Sequence, residues 1–274
     1  MTGDAGVDDP RAQPVFDCHF HVVDPRFPLI PNDGFLPDPF DVSDYLRATT
    51  ELAVTGGAVV SGSFQGSDQT YLLAALEELG PGFVGVTQVT PDVDDAELRH
   101  LAQSGVRAVR FNLYRGGSAG RNDLLALGRR AWDVAGLHVE LYVDTADLPE
   151  LESTIGQLPS VSIDHLGMSA TAWGTLLRLV ESGVRVKATG FGRINHDAVS
   201  ALHDIFAVDP NALMFGTDLP GTRAARPFTL DDVTLIETAL GTDALPLVLH
   251  ENATAFYRMD QRYPAQSGVA ESAE

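Results

Sequence analysis

Near its start the chain carries two histidines two residues apart, in Asp17-Cys18-His19-Phe20-His21. Two imidazoles at that spacing on a strand point the same way. They can hold a divalent metal, donate to or accept from a substrate, or fill a core. Further polar residues sit inside apolar runs: Arg110 and Asn112 in "VRAVRFNLY", Glu140 and Tyr142 in "LHVELYV", and Asp164-His165 in "SVSIDHL". Lys187 lies in "VRVKATG", and Thr217-Asp218 ends "LMFGTDL". One such group is most simply a paired polar residue of the core. Charged and imidazole groups on five or more strand ends together point instead to a site, because unpaired buried charge costs several kcal/mol.

These residues must be positioned by regular elements. Strand patterns occur at 15–21, 57–63, 83–90, 106–114, 137–143, 160–166, 184–190 and 213–219. Helical patterns separate them, among them "DQTYLLAALEELG", "LLALGRRAWDVAG", "TAWGTLLRLVESG" and "NHDAVSALHDIFAVD". Glycines close several helices, and Asp68 and Asn195 are the expected N-caps. Eight β units alternating with helices predict a parallel sheet closed as a single-domain (β/α)8 TIM barrel over 14–260, a fold of typically about 250 residues. An open doubly wound sheet is the rival, but no Gly-x-Gly-x-x-Gly follows the first strand. Residues 1–13 and 261–274 read as flexible tails. In the first strand, alternation predicts Phe16, Cys18 and Phe20 toward the helices, with Asp17, His19 and His21 toward the barrel interior. The Pro- and Gly-rich loop that follows, "DPRFPLIPNDGFLPDPF", is a candidate lid.

Composition narrows the partners. The chain has 274 residues and a formal charge of −20. That charge argues against nucleic acid and anionic membranes, both of which are bound through Lys and Arg. A small anionic substrate remains compatible, since a local cluster of cations can dominate a cleft. The single cysteine forbids an internal disulfide, and no leader or spanning segment is evident, so a soluble cytoplasmic protein is expected. Of the 18 basic residues all but Lys187 are arginine. A site that wants a compact ammonium rather than a guanidinium fork explains such an exception, as does chance survival at a strand end.

At "DCHFHVVDP", "VRAVRFNL", "DHLG", "VKATGFGR" and "FGTDLP" the chain resembles the amidohydrolase superfamily, in its amidohydrolase-related branch. The closing "LHENATAFY" is similar to the branch's terminal helix, with Ala253 in place of its usual proline. The resemblance covers roughly residues 14–258. It implies a barrel hydrolase with its site at the C-terminal mouth. In metal-dependent members it implies one or two divalent ions, here on His19, His21, His165 and Asp218. The strand-five histidine ligand is missing: Glu140 and Tyr142 face inward, and His138 lies too early in the strand.

That departure resembles the 2-pyrone-4,6-dicarboxylate lactonases and sugar lactonase-like proteins, which can work without a tightly held metal. The resemblance carries over Arg110, Tyr142, His165, Arg193 and Asp218, with Arg223 as a looser match. The expected activity is hydrolysis of a small carboxylate-bearing lactone by water activated at Asp218. His19, His21 and Lys187 would polarise the carbonyl, His165 would orient substrate or protonate the leaving oxygen, and Arg110, Arg193 and Arg223 would grip carboxylates. Tyr142 and Lys187 complete the expected substrate contacts. No cofactor, or one loosely bound Zn or Mn ion, is expected. The alternatives are a metal-dependent amidohydrolase or decarboxylase of a small acid, and a non-enzymatic acid-binding barrel. A homodimer is compatible with the charge and size.

Overall fold

A computed structural model describes residues 13–260; the expected tails, Gln13 apart, lie outside the described residues. Eight parallel strands run in sequence order around the sheet: β1 (Val15–Phe20), β2 (Val54–Val60), β3 (Phe83–Thr87), β4 (Val106–Asn112), β5 (His138–Tyr142), β6 (Val161–Ile163), β7 (Arg185–Ala188) and β8 (Leu213–Phe215). Between them lie α1 (Val42–Ala48), α2 (Thr70–Leu79), α3 (Asp95–Gln103), α4 (Leu124–Ala135), α5 (Leu148–Ile155), α6 (Trp173–Glu181) and α7 (Ala198–Val208). The helices α8 (Asp231–Leu240) and α9 (Asn252–Phe256) follow β8. This is a single-domain (β/α)8 barrel, as the alternation predicts. Among the described residues no helix is long and apolar enough to cross a membrane.

The strands are buried on both faces, which is why they read as near-continuous apolar runs. One apolar layer joins outward residues such as Val59, Val109, Phe111, Val139 and Leu141 to the helices. A second, inside the barrel, gathers Phe16, Cys18, Ala58, Val60, Val84, Val86, Ala108 and Met214, and is plugged from below by Ala253 and Tyr257 at the end of the chain. Caps differ from expectation by one or two residues. The helix α2 starts after Gln69 rather than Asp68, and α7 is capped by Asp197, whose carboxylate accepts from Ser200 N, rather than by Asn195.

The strand β1 departs from strict alternation. Asp17 pairs with Gly57 and Phe20 with Val59, so three residues of β1 face two of β2. Such a bulge flips the side-chain parity beyond it. Below it, Phe16 and Cys18 point into the barrel, and Cys18 Sγ lies 3.4 Å from the Met214 carbonyl. Asp17 points outward and accepts from Tyr45 of α1 at 3.2 Å. Above it, Phe20 stacks on the same Tyr45 ring, with centroids 3.7 Å apart. Phe16, Asp17 and Cys18 thus take the sides opposite to those that alternation assigns them, while His19, Phe20 and His21 keep theirs.

The barrel closes just beyond β8. Asp218 N donates to the His19 carbonyl and His21 N to the Leu219 carbonyl, both at 2.7 Å. Thr217 N donates to Asp17 at 2.8 Å and Thr217 Oγ1 at 2.7 Å. Closure this tight needs a residue without Cβ: at Gly216 a Cβ would meet His19 N at 2.8 Å and His19 Cβ at 3.0 Å. Gly216→Ala is therefore expected to lower the unfolding free energy by about 1–3 kcal/mol. Gly174→Ala, whose Cβ would meet only the Arg178 tip at 3.8 Å, serves as control and should change little in urea unfolding.

Candidate active site

The polar residues sit in two storeys inside the upper barrel. The lower is a closed charge network. Lys187 Nζ lies 2.5 Å from Glu140 Oε2, 3.5 Å from Asp164 Oδ1 and 3.3 Å from His19 Nδ1. Arg110 donates to Asp164 Oδ2 at 2.7 Å and to the Ser61 carbonyl at 2.6 Å. Glu140 also accepts from Tyr257, and His138 Nε2 lies 3.4 Å from its Oε1. Lys187, Glu140 and Asp164 have fully buried side chains, and that of Arg110 is 2% exposed. Two cations and two carboxylates balance, as burial demands. Burial works against ionisation of Glu140 and Asp164, yet Lys187 holds Glu140 below the usual carboxylate range, and the His19 ring with Arg110 and Lys187 holds Asp164 well below it. Lys187, which burial pushes down, is held above its ordinary value by the same two carboxylates.

The upper storey faces the mouth. His21 Nε2 lies 3.6 Å and His19 Nε2 3.8 Å from Asp218 Oδ1. His21 Nδ1 lies 2.7 Å from the Val60 carbonyl, which fixes its ring. Arg193 clamps Asp218 in bidentate fashion, Nε to Oδ2 at 2.5 Å and Nη2 to Oδ1 at 3.1 Å. Burial would raise Asp218, but Arg193, with the neighbouring imidazoles, holds it far below the ordinary carboxylate range. Burial pushes His19 down to about 3 and His165 well below its usual value, so both rings are neutral near pH 7. His165 and Asp218 adopt φ of +52° and +59°, a left-handed backbone that costs a non-glycine residue about 1 kcal/mol or more. Backbone bonds hold them there, from Met168 N to the His165 carbonyl at 2.9 Å and from Gly221 N to the Asp218 carbonyl at 2.6 Å.

Above this lies a small, partly open cavity, lined by residues from the C-terminal ends of most strands. His21, Arg110, Asn112, Tyr142, His165, Arg193 and Arg223 line it, with Phe35 from the loop after β1 and Phe64 from the loop after β2. His19 and Asp218 lie just beneath, 0% and 2% exposed. Of the expected substrate contacts, Lys187 is the one displaced: fully buried below His19, it cannot reach a ligand in this cavity.

Arg115, after β4, was not singled out by sequence reasoning and lines the cavity too. Its backbone is tied to Asn112 Oδ1 at 2.9 Å, and Gly116 and Gly117 follow with positive φ, so the turn brings its side chain back over the mouth. Arg223 is held by Asn32 Oδ1 at 2.9 Å over the Phe35 ring. Among the described residues neither Arg115 nor Arg223 has an ion pair, and no carboxylate lines the cavity. Partial burial and the Arg115 charge push Arg223 below its ordinary value.

His19, His21 and Asp218 offer donor atoms within 4.8 Å of one another, the minimum for a divalent ion. In this arrangement they do not fit one as a resident group. The Asp218 carboxylate is occupied on both oxygens by Arg193, a cation that a metal ion would have to displace. Tyr142 stands on β5 where a nitrogen ligand is wanted, and its ring is flanked by His165 and the Arg110 guanidinium.

Residues 16–259 match the amidohydrolase family. The chain belongs to that family. It is similar to a 2-pyrone-4,6-dicarboxylate hydrolase of Comamonas testosteroni, 31% identical over 156 residues, a match covering 55% of this chain and only 51% of that protein. It is also similar to a 4-sulfomuconolactone hydrolase of Hydrogenophaga intermedia, 26% identical over 225 residues, 75% of this chain and 74% of that one. A solved structure from Pseudomonas putida, provisionally assigned as a 2-pyrone-4,6-dicarboxylic acid hydrolase, superposes with TM-score 0.76. It is 26% identical and covers 90% of this amidohydrolase and 98% of its own chain.

The Arg193–Asp218 pair gives a pH test with a defined sign. Asp218 is depressed in the fold, so its ionisation contributes stability above the unfolded value of about 4, and the contribution is lost as pH falls through the folded value. Arg193→Gln leaves the buried carboxylate unpaired and should cost about 3–5 kcal/mol at pH 7. The deficit should shrink in acid, where burial favours protonated Asp218. Urea unfolding of both proteins at pH 7 and pH 4 checks this; an equal deficit at both would contradict it.

Proposed function

We propose that this enzyme hydrolyses a small lactone bearing an acid group, with Asp218 as the base that activates water. The observation that carries the reading is the cavity itself. Arg110, Arg115, Arg193 and Arg223 line it without a carboxylate among them, and it opens directly above Asp218 and two histidines. The named relatives support it, since 2-pyrone-4,6-dicarboxylate and 4-sulfomuconolactone are both cyclic esters that carry acid groups.

In this mechanism Arg115 and Arg223 take the substrate's carboxylate or sulfonate by charge-assisted hydrogen bonds. Arg110, already bound to Asp164 and the Ser61 carbonyl, presents only its remaining edge. The substrate acid also draws Arg193 away from Asp218. This exchange matters, because a carboxylate clamped by guanidinium is too weak a base. Once freed, Asp218 is raised by its burial toward a working range. Asp218 then removes a proton from water as the water oxygen attacks the lactone carbonyl. His19 lines the oxyanion side, where one such donor is worth about 3–4 kcal/mol. The ring C–O bond breaks, and the proton held by Asp218 passes to the leaving oxygen, giving the ring-opened acid. His165, neutral and packed against Tyr142, orients the substrate rather than supplying that proton.

Asp218→Asn should lower kcat by at least about 10³-fold while the affinity for an acid-bearing lactone is kept or strengthened, since Arg193 no longer has to leave a carboxylate; retained turnover would remove the assigned base. Arg223→Ala should chiefly raise KM, by about 10-fold or more. A panel of lactones with and without carboxylate or sulfonate, each assayed with and without chelator, reads substrate class and metal need together. Turnover of acid-bearing lactones unaffected by chelator is expected. Stoichiometric zinc with chelator-sensitive turnover would favour a metal-dependent amidohydrolase.

A further inference from the structure

The chain's single lysine is unexplained by the mechanism above, since it touches neither cavity nor reacting atoms. The structure shows why an arginine does not stand there. The Lys187 ammonium has three N–H donors and three neighbours, Glu140 Oε2, Asp164 Oδ1 and His19 Nδ1, in a pocket with no exposed surface. A planar guanidinium cannot present donors in three such directions from one atom.

An ammonium donates and never accepts. A His19 carrying hydrogen on Nδ1 would set N–H against N–H at 3.3 Å. The Nδ1 that faces Lys187 must therefore offer a lone pair, and the ring hydrogen sits on Nε2. Asp164 is the one competitor. Its Oδ1 lies 3.4 Å from the same Nδ1 and interacts with that ring, but the contact is longer than that of Lys187 and poorer in geometry. His21 is set the other way, because its Nδ1 faces the Val60 carbonyl, an acceptor, at 2.7 Å. Its Nε2 therefore keeps a lone pair.

We infer that Lys187 is a positioning residue that holds His19 as its Nε2–H tautomer, so that His19 presents a hydrogen-bond donor to the mouth and not a metal ligand. The two histidines then differ in role at one carboxylate. His19 Nε2–H, which has no partner among the described residues, is free to donate to the substrate oxyanion. The His21 lone pair and Asp218 together face the place where a water donates to both. The misfit of a resident metal follows from the same assignment, because an ion on this histidine pair needs both Nε2 lone pairs and finds one. The catalytic part of this inference rests on the lactonase reading; the tautomer does not.

The test is the long-range proton–nitrogen spectrum of the protein labelled with ¹⁵N-histidine, with His19 and His21 assigned by their Gln variants. In the wild type at pH 7.5, His19 should show the Nε2–H pattern and His21 the Nδ1–H pattern. An Nδ1–H pattern at His19 overturns the inference whatever the activity screen returns. In Lys187→Met, Asp164 becomes the only partner of Nδ1, and His19 should change to the Nδ1–H form. With it kcat should fall at least 10-fold with little change in KM, and Zn²⁺ titration should show tighter binding than in the wild type. An unchanged His19 pattern in the variant overturns the inference. If Lys187→Met does not fold, Lys187→Met with Glu140→Gln restores the charge balance and is read by the same spectrum. Failure of the lactonase reading would appear instead as loss of turnover on the whole lactone panel with the wild-type tautomers intact.

Discussion

Charge buried inside a closed barrel has no water to turn to, so each charged group there must find its partner within the wall. Arg110, Asp164, Lys187 and Glu140 meet that constraint as a neutral quartet beneath the site. Tyr257 ties the quartet to the end of the chain by donating to Glu140. The quartet is the floor on which the histidines stand: it contacts His19 through both Lys187 and Asp164. Above it Asp218 and Arg193 satisfy each other. What is left over is positive. Among the described residues Arg115 and Arg223 face the cavity without carboxylate partners, and an unpaired pair of guanidinium groups is a demand for an anion.

The same constraint separates resting from working states. Arg193 neutralises Asp218 and holds its carboxyl far below the ordinary range. In the proposed mechanism an anion of the right shape relieves Arg193 of that duty, so Asp218 is released as the base only where a substrate acid is present. On that proposal, selection for acid-bearing substrates is coupled to catalysis through one side chain rather than through added contact area.

Much of this was legible in the sequence. Eight strand patterns separated by helices gave the barrel, and the polar residues at strand ends marked its mouth. His19, His21, His165, Asp218, Arg110, Tyr142, Arg193 and Arg223 do gather there. Other features were hidden for physical reasons. The bulge in β1 is a matter of pairing with β2, which a period of two cannot register, so alternation puts Phe16, Asp17 and Cys18 on the wrong sides. Lys187 read correctly as an inward, unusual residue, but sequence carries no depth, and it lies a storey below the cavity. Arg115 sits in a loop whose return path depends on Gly116 and Gly117, and spacing alone does not say which loop arginine turns inward. Tyr257 belonged to a recognisable terminal helix, yet its reach to Glu140 depends on how that helix plugs the barrel.

The central claim is that Arg193 changes partner, leaving Asp218 for the acid group of the substrate. A crystal structure with an unreactive lactam analogue that carries a carboxylate tests it directly. The account predicts the Arg193 guanidinium on the ligand carboxylate, and an ordered water between Asp218 and the lactam carbonyl. Arg193 still bidentate on Asp218, with the ligand carboxylate held elsewhere, would contradict it.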